Sequence, residues 1–345
     1  MVRAIEWVDL PRPAIRLIDQ TLLPDTERYV EVTTVDVLVE AIGHLVVRGA
    51  PALGTAGALG VALAMAQAAR EGWDVTRLDR EIDRIRDARP TAVNLAWGVN
   101  QVRGSIPAGM AEVVALGLQV LADDVAANRE LSRRGADWVL AHVEKDKVRV
   151  ITHCNTGALA TSGWGTAYGI IHELHDRGHL GLVYADETRP LLQGARLTGW
   201  ELRRDGIEHV VQVDGAAAST ILRGLVDVAI IGADRIAANG DTANKVGSVG
   251  LALACQRAGI PFIVAAPSST VDLTIARGED IVIEERSEDE VLSCAGKRTA
   301  PAGARGFNPA FDVTPHDLIS AVITERGTAE TATQANPDLS EIHAG

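Results

Sequence analysis

From about residue 148 the chain repeats one pattern, a short run of β-branched and apolar residues followed by a stretch of helical length and composition. The runs are Val148 to Thr152, Gly181 to Ala185, His209 to Val213, Val226 to Ile231, Pro261 to Ala265 and Ile281 to Ile283. Between them lie Ala158 to Asp176, Pro190 to Arg204, Ala216 to Gly224 and Lys245 to Ala258. Strands this apolar need cover on both faces, and strand, helix, strand connections are right-handed. The pattern therefore predicts an α/β fold, a Rossmann-like and mostly parallel sheet with helices on both sides.

The preceding residues read differently. Helical patterns cover Val35 to Val47, Thr55 to Arg70, Arg77 to Asp87 and Met110 to His142, the last with a possible break. Ala14 to Asp19 and Arg28 to Val32 alternate as short strands close enough to form a small antiparallel piece. The expected organisation is a mainly helical N-terminal domain over 1–142, an α/β catalytic domain over 143–327, and a loose polar tail over 328–345. Ala295 to Gly306, with three glycines and three cations, reads as a surface loop.

Composition narrows the function classes. The 345 residues carry 33 Lys plus Arg against 46 Asp plus Glu, a net charge of -13 that disfavours nucleic acid and anionic membranes, and no basic run offsets it. Cys154, Cys255 and Cys294 show no CxxC spacing, so neither a disulfide framework nor a zinc cluster is expected and a cytoplasmic setting is. Glu6 and Asp9 fall where a signal peptide needs apolar residues. Gly49 to Ala69 has no charge over a membrane-spanning length, yet it is mostly Ala and Gly with Pro51, which suits a helix packed tightly inside protein.

In an open parallel sheet, ligands bind beyond the carboxyl ends of the strands. The residues found there are His153-Cys-Asn-Thr-Gly, Asp186-Glu-Thr-Arg-Pro, Asp214-Gly, Gly232-Ala-Asp-Arg and Pro267-Ser-Ser-Thr. Cys154 stands at a strand end, just before an expected helix N-terminus whose N–H groups would favour a thiolate, whereas an arbitrary free cysteine is usually core filler. Asp234 follows an apolar strand that supplies a low-dielectric floor, although pairing with Arg235 or a turn would also account for it. Arg48-Gly-Ala-Pro opens a helix rich in small residues, Asn244-Lys245 is expected to open another, and Arg89 adds a third cation. Together they suit a phosphorylated small molecule. A nicotinamide enzyme would need GxGxxG after the first strand, but Cys-Asn-Thr-Gly-Ala-Leu-Ala stands there.

At these residues the sequence resembles the methylthioribose-1-phosphate isomerase family, whose fold is shared by regulatory subunits of eukaryotic translation initiation factor two-B. The resemblance runs from about Ile5 to Gly327. It is carried by Val47-Arg-Gly-Ala-Pro-Ala, Arg89-Pro-Thr-Ala-Val-Asn-Leu, Thr152-His-Cys-Asn-Thr-Gly, Glu187-Thr-Arg-Pro with Gln193-Gly-Ala-Arg-Leu-Thr, Gly232-Ala-Asp-Arg with Asn239-Gly-Asp-Thr-Ala-Asn-Lys, and Asn308-Pro-Ala-Phe-Asp-Val-Thr-Pro. It implies Cys154 and Asp234 as a catalytic pair facing each other across one crevice. It also implies Arg48, Gly49, Ala50, Arg89, Gln193, Asn244 and Lys245 as substrate contacts. A homodimer in methionine salvage, with no metal and no organic cofactor, follows from the same resemblance. Gly199-Trp200 and Ser248-Val249-Gly250 depart from the larger or aromatic residues the family tends to carry, which leaves the substrate's C5 group open.

The implied reaction interconverts an aldose 1-phosphate and a ketose 1-phosphate. The alternatives are an isomerase of 5-deoxyribose 1-phosphate or ribose 1,5-bisphosphate, and a non-catalytic regulatory subunit. Proton transfer and a 1,2-hydride shift are both compatible with the residues, as is either division of labour between Cys154 and Asp234.

Overall fold

The computed structural model describes residues 2–9, 11–89, 93–334, 337 and 339–344. The chain forms two compact units, one comprising Met1–Ala126 with Gly157–Gly165, the other Ala127–Thr156 with Thr166–Gly345.

The first unit begins with a three-stranded antiparallel sheet of β1 (Ile5–Val8), β2 (Ala14–Ile18) and β3 (Tyr29–Val32). Only β2 and β3 were expected. Helices α1 (Val35–Gly43), α2 (Ala50–Glu71), α3 (Val75–Arg86), α4 (Val93–Arg103) and α5 (Met110–His142) follow, α5 running unbroken from this unit into residues of the next. Thr34 and Asp74 cap α1 and α3 by accepting from Val37 N and Arg77 N, as short polar side chains do at helix starts. Helix α2 is long and apolar enough to cross a membrane, but it is a core helix, buried along most of its length. Its small residues explain why: a Cβ on Gly98 of α4 would lie 1.9 Å from the Gly54 carbonyl oxygen, so backbone meets backbone where these helices touch.

The second unit is built on a seven-stranded sheet. Its strands in chain order are β4 (Val148–Thr152), β5 (Leu180–Asp186), β6 (His209–Gln212), β7 (Val228–Ile231), β10 (Phe262–Ala265), β15 (Ala321–Ile323) and β16 (Thr328–Ala329). Across the sheet they run β16-β15-β10-β7-β4-β5-β6, parallel except for β16. A second sheet, β11-β8-β9-β14, joins β8 (Arg235–Ala237), β9 (Thr242–Lys245), β11 (Val271–Asp272) and β14 (Phe311–Thr314), and Ser293–Cys294 pairs with Lys297–Arg298 as β12 and β13. Helices α6 (Ala167–Asp176), α7 (Gly199–Arg204), α8 (Ala217–Leu222), α9 (Ser248–Ala258), α10 (Glu288–Leu292) and α11 (Ser340–Ala344) complete the unit.

Alternate residues of each central strand enter opposite cores. Val148, Val150, Val228, Ile230, Ile263 and Ala265 join one with α5, α6 and α7, while Ile151, Ala229, Ile231, Phe262 and Val264 join the other with α8 and α9. Burial on both faces is why these strands read as continuous apolar runs. Cys255 belongs to the second core, and burial pushes its thiol up to about 12.

Four expectations fail. Ile281 to Ile283 forms no strand, and the outer parallel position is taken by β15. The helix expected from Ala158 begins at Ala167, because 157–165 packs with the first unit. Lys245 ends a strand rather than opening a helix. The supposed loose tail contributes β16, and buried Leu339 and Ile342 enter the α8–α9 side core.

Candidate active site

The strand order places a reversal at the middle of the sheet. From β4 the chain winds outward through β5 and β6, then returns to β7 on the other side of β4 and proceeds to β10 and β15. Between β4 and β7 the connections diverge, and it is beyond the carboxyl ends of strands at such a reversal that open α/β sheets bind ligands. The strands pair directly, Val150 with Val228 and Ile151 with Ala229, and Thr152 Oγ1 donates to the Ile230 carbonyl at 2.8 Å. Cys154 follows β4 and Asp234 follows β7, so the two lie beyond neighbouring strand ends.

Cys154 is buried and adopts φ 68°, a left-handed conformation unusual for a non-glycine residue. Its neighbours define that conformation. The Cys154 N–H donates to Thr188 Oγ1 at 2.9 Å, and its carbonyl accepts from Thr198 Oγ1 at 2.7 Å. Gln193 Nε2 donates to the sulfur at 3.3 Å, which joins two of the predicted site residues. The helix dipole expected behind Cys154 is not what polarises it, since α6 starts only at Ala167.

Asp234 is half-buried, and its N–H donates to the Ala243 carbonyl at 2.9 Å, bringing it alongside Asn244. Asn244 Nδ2 donates to Ser248 Oγ at 2.8 Å, and Ser248 in turn donates to the Lys245 carbonyl at 2.9 Å. The small polar residue at 248 therefore orients Asn244. Lys245 Nζ donates to the Ala310 carbonyl at 2.6 Å and lies 4.6 Å from the centre of the Phe311 ring. The N-terminus of α9, next in the chain, is not open to an anion: Asp312 accepts from Gly247 N at 2.7 Å and Val249 N at 3.3 Å.

In the first unit, Arg48 immediately precedes α2, with Gly49 at its N-cap and Ala50 as its first residue. Gly49 has φ 98°, and a Cβ there would lie 2.1 Å from the Ala160 carbonyl oxygen, so this turn admits only glycine. Arg89 lies in the segment before α4, and Pro90 to Ala92 of its motif fall outside the described residues.

Sequence reasoning noted His153, Asp186 and Asp214 at the strand ends without seeing how they connect. His153 is buried, with Nδ1 3.0 Å from Asp186 Oδ2 and Nε2 2.9 Å from the Val246 carbonyl. Burial opposes its charge, but the Asp186 hydrogen bond and carboxylate outweigh that, holding the imidazole pKa above its ordinary value. Among the described residues these three form the one group whose donor atoms, all within 4.8 Å, could hold a metal ion. They are already engaged: Asp186 Oδ1 accepts from Gln212 Nε2 at 2.8 Å, and Asp214 accepts from Thr188 N and Arg189 N at 2.8 and 2.7 Å.

A family model described as the initiation factor 2 subunit family matches residues 46–331, spanning both units. The chain belongs to this family. Within the family it is 50% identical to a probable bifunctional methylthioribose-1-phosphate isomerase/methylthioribulose-1-phosphate dehydratase of Nocardia farcinica. That similarity covers 97% of this chain, and the chain spans 60% of that longer protein. It is 49% identical to a methylthioribose-1-phosphate isomerase of Anaeromyxobacter sp. over 92% of this chain and 91% of the relative. Among family structures, 5-methylthioribose 1-phosphate isomerase from Pyrococcus horikoshii superposes with a TM-score of 0.87 at 38% identity, covering 96% and 93% of the two chains. The delta subunit of translation initiation factor eIF-2B from A. fulgidus superposes with 0.86 at 38% identity over 100% of both. The mixed α/β fold, with its helical N-terminal region and large mostly parallel sheet, is thus that of the family.

Proposed function

We propose that the chain is an S-methyl-5-thioribose-1-phosphate isomerase, converting that aldose 1-phosphate to the corresponding 1-phosphoketose in methionine salvage. The observation that carries the reading is the location of Cys154 and Asp234 beyond β4 and β7, at the reversal of strand order, in a chain half identical to proteins named for this activity. The doubly wound order also favours treating 143–327 as a Rossmann-like catalytic domain.

The substrate's phosphate sits on the anomeric oxygen, so simple ring opening cannot release a free aldehyde. The enzyme must break the bond between C1 and the ring oxygen while the phosphate stays in place. In the proposed scheme Asp234 gives a proton to that oxygen and Cys154 manages the hydrogen at C1 and C2. The reverse assignment and a direct 1,2-hydride shift keep the same pair. The reaction moves hydrogen within one molecule, so its balance calls for no external oxidant or reductant. The Gln193 amide holds the Cys154 sulfur in place, and the apolar strand ends around the pair favour charge movement away from water.

Arg48, Gly49, Ala50, Arg89, Gln193, Asn244 and Lys245 are proposed as substrate contacts. A cytoplasmic homodimer belongs to the same proposal.

The second reading is a regulatory subunit, which the match to the A. fulgidus delta subunit supports. A related sugar phosphate is a third, since a methyl and a methylthio group differ only in apolar bulk, worth about 1 to 3 kcal/mol of discrimination. The deciding assay compares turnover of 5-methylthioribose 1-phosphate, 5-deoxyribose 1-phosphate and ribose 1,5-bisphosphate by purified protein. The methylthio sugar is expected to have the highest kcat/KM. No ketose from any of the three would favour the regulatory subunit.

A further inference from the structure

We propose that His153 is a positioning residue for this reaction, an imidazolium clamped between Asp186 and the Val246 carbonyl that sets the Lys245 to Gly247 turn against the Cys154 strand end. The inference rests on the reading of Lys245 as a substrate contact.

The hydrogen bonds dictate the protonation state. A backbone carbonyl only accepts, so the 2.9 Å contact from Nε2 to the Val246 oxygen requires a proton on Nε2. Nδ1 faces Asp186 Oδ2 at 3.0 Å. The other carboxylate oxygen accepts from Gln212 Nε2 at 2.8 Å, and the Gln212 amide is oriented because its oxygen accepts from Thr220 Oγ1 at 2.7 Å. With Oδ1 engaged as an acceptor, Oδ2 accepts from the ring when Asp186 is ionised. A neutral imidazole has one N–H and would leave one of its two contacts as lone pair against lone pair, whereas the imidazolium satisfies both.

The titratable groups around the ring come from four places in the chain. Asp186 ends β5, Asp214 follows β6, Asp312 lies on β14, and Cys154 is the residue next to His153 just beyond β4. Asp214 holds the Thr188 and Arg189 N–H groups, and Asp312 holds those of Gly247 and Val249. Burial raises the Asp312 pKa, and Asp186 is the carboxyl in hydrogen-bond contact with the ring.

Two contacts turn this ion pair into a positioning device. Gly247, at φ 114°, packs so closely on the ring that a Cβ would lie 2.8 Å from His153 Cε1, so ring and turn define each other. The Asp186 carbonyl accepts from Thr188 Oγ1, which accepts from the Cys154 N–H, so the same residue also braces the left-handed backbone of Cys154.

The first test needs no substrate. In the full-length protein labelled with 15N-histidine, the His153 signals, assigned by their change in Asp186→Asn, are expected to show both ring nitrogens protonated from about pH 6 to about pH 8. A single neutral tautomer at pH 7.5 would overturn the proposal. The second test is His153→Gln, which keeps an amide donor for Val246 but carries no charge. KM for the sugar phosphate is expected to rise about tenfold with kcat within about threefold of wild type. A fall in kcat at unchanged KM would overturn the positioning role. Absence of turnover in the wild type would sink the isomerase reading instead, with the nitrogen signals still deciding the clamp.

Discussion

At the scale of single residues, the site depends on backbone conformations that few side chains adopt willingly. Cys154 at φ 68° is held by Thr188 and Thr198, and its sulfur by Gln193, so the proposed catalytic thiol is already oriented. Cys154→Ala and Asp234→Asn are each expected to lower kcat by about 10² to 10⁴-fold while substrate still binds, as checked by steady-state kinetics and calorimetric titration. Full activity in either variant would end the assignment. Gly49→Ala should destabilise the first unit by at least about 2 kcal/mol, since φ 98° and the Ala160 carbonyl oppose any Cβ; a shift of the urea midpoint reports it.

At the scale of elements, β4 and β7 are joined at both ends. Beyond Thr152 and Ile230, Arg149 Nε and Nη2 reach the two oxygens of Asp227 at 2.9 and 2.7 Å, and the Arg149 N–H adds a bond at 2.9 Å. Burial alone would raise the Asp227 pKa, but these bonds outweigh it and hold the carboxyl below its ordinary range. A depressed folded-state pKa contributes stability above the unfolded value, about 3.9, and loses it as pH falls through the lower folded value. Asp227→Asn should therefore flatten the dependence of unfolding free energy on pH below about pH 4, an effect read from urea melts at several pH values. The C-terminal segment makes a comparable prediction. Leu339 is wholly buried in the core that holds Ile221 and Leu251, so Leu339→Ala is expected to cost about 2 to 4 kcal/mol, where a loose tail would register nothing.

At the scale of the whole molecule, the proposed homodimer carries a prediction of its own. A chain of 36.5 kDa should sediment as a species of about twice that mass at micromolar concentration, and a monomer at every concentration would remove the dimer from the proposal. The net charge of -13 sets a second expectation at this scale, that polyanions neither bind nor inhibit except where they compete for the sugar-phosphate site.

Residue order alone determined the parallel sheet, because strands covered on both faces leave an unbroken apolar signature. Val148 to Thr152 was legible to the residue. It also placed Cys154 and Asp234, since a strand's last residue names the rim it reaches. Short elements escaped: β15 has three residues and β16 two, lengths at which pairing partners rather than local preference create a strand, and Ile281 to Ile283 had the preference without a partner. Residues 158–165 read as helix because their small apolar side chains suit one, yet 157–165 packs with the first unit, a choice made by contacts distant in sequence. The same distance hid the support of the site. Asp312 closes the α9 N-terminus from 63 residues away and Asp186 meets His153 across 33, so their roles exist only once β14 lies beside β9 and β5 beside β4.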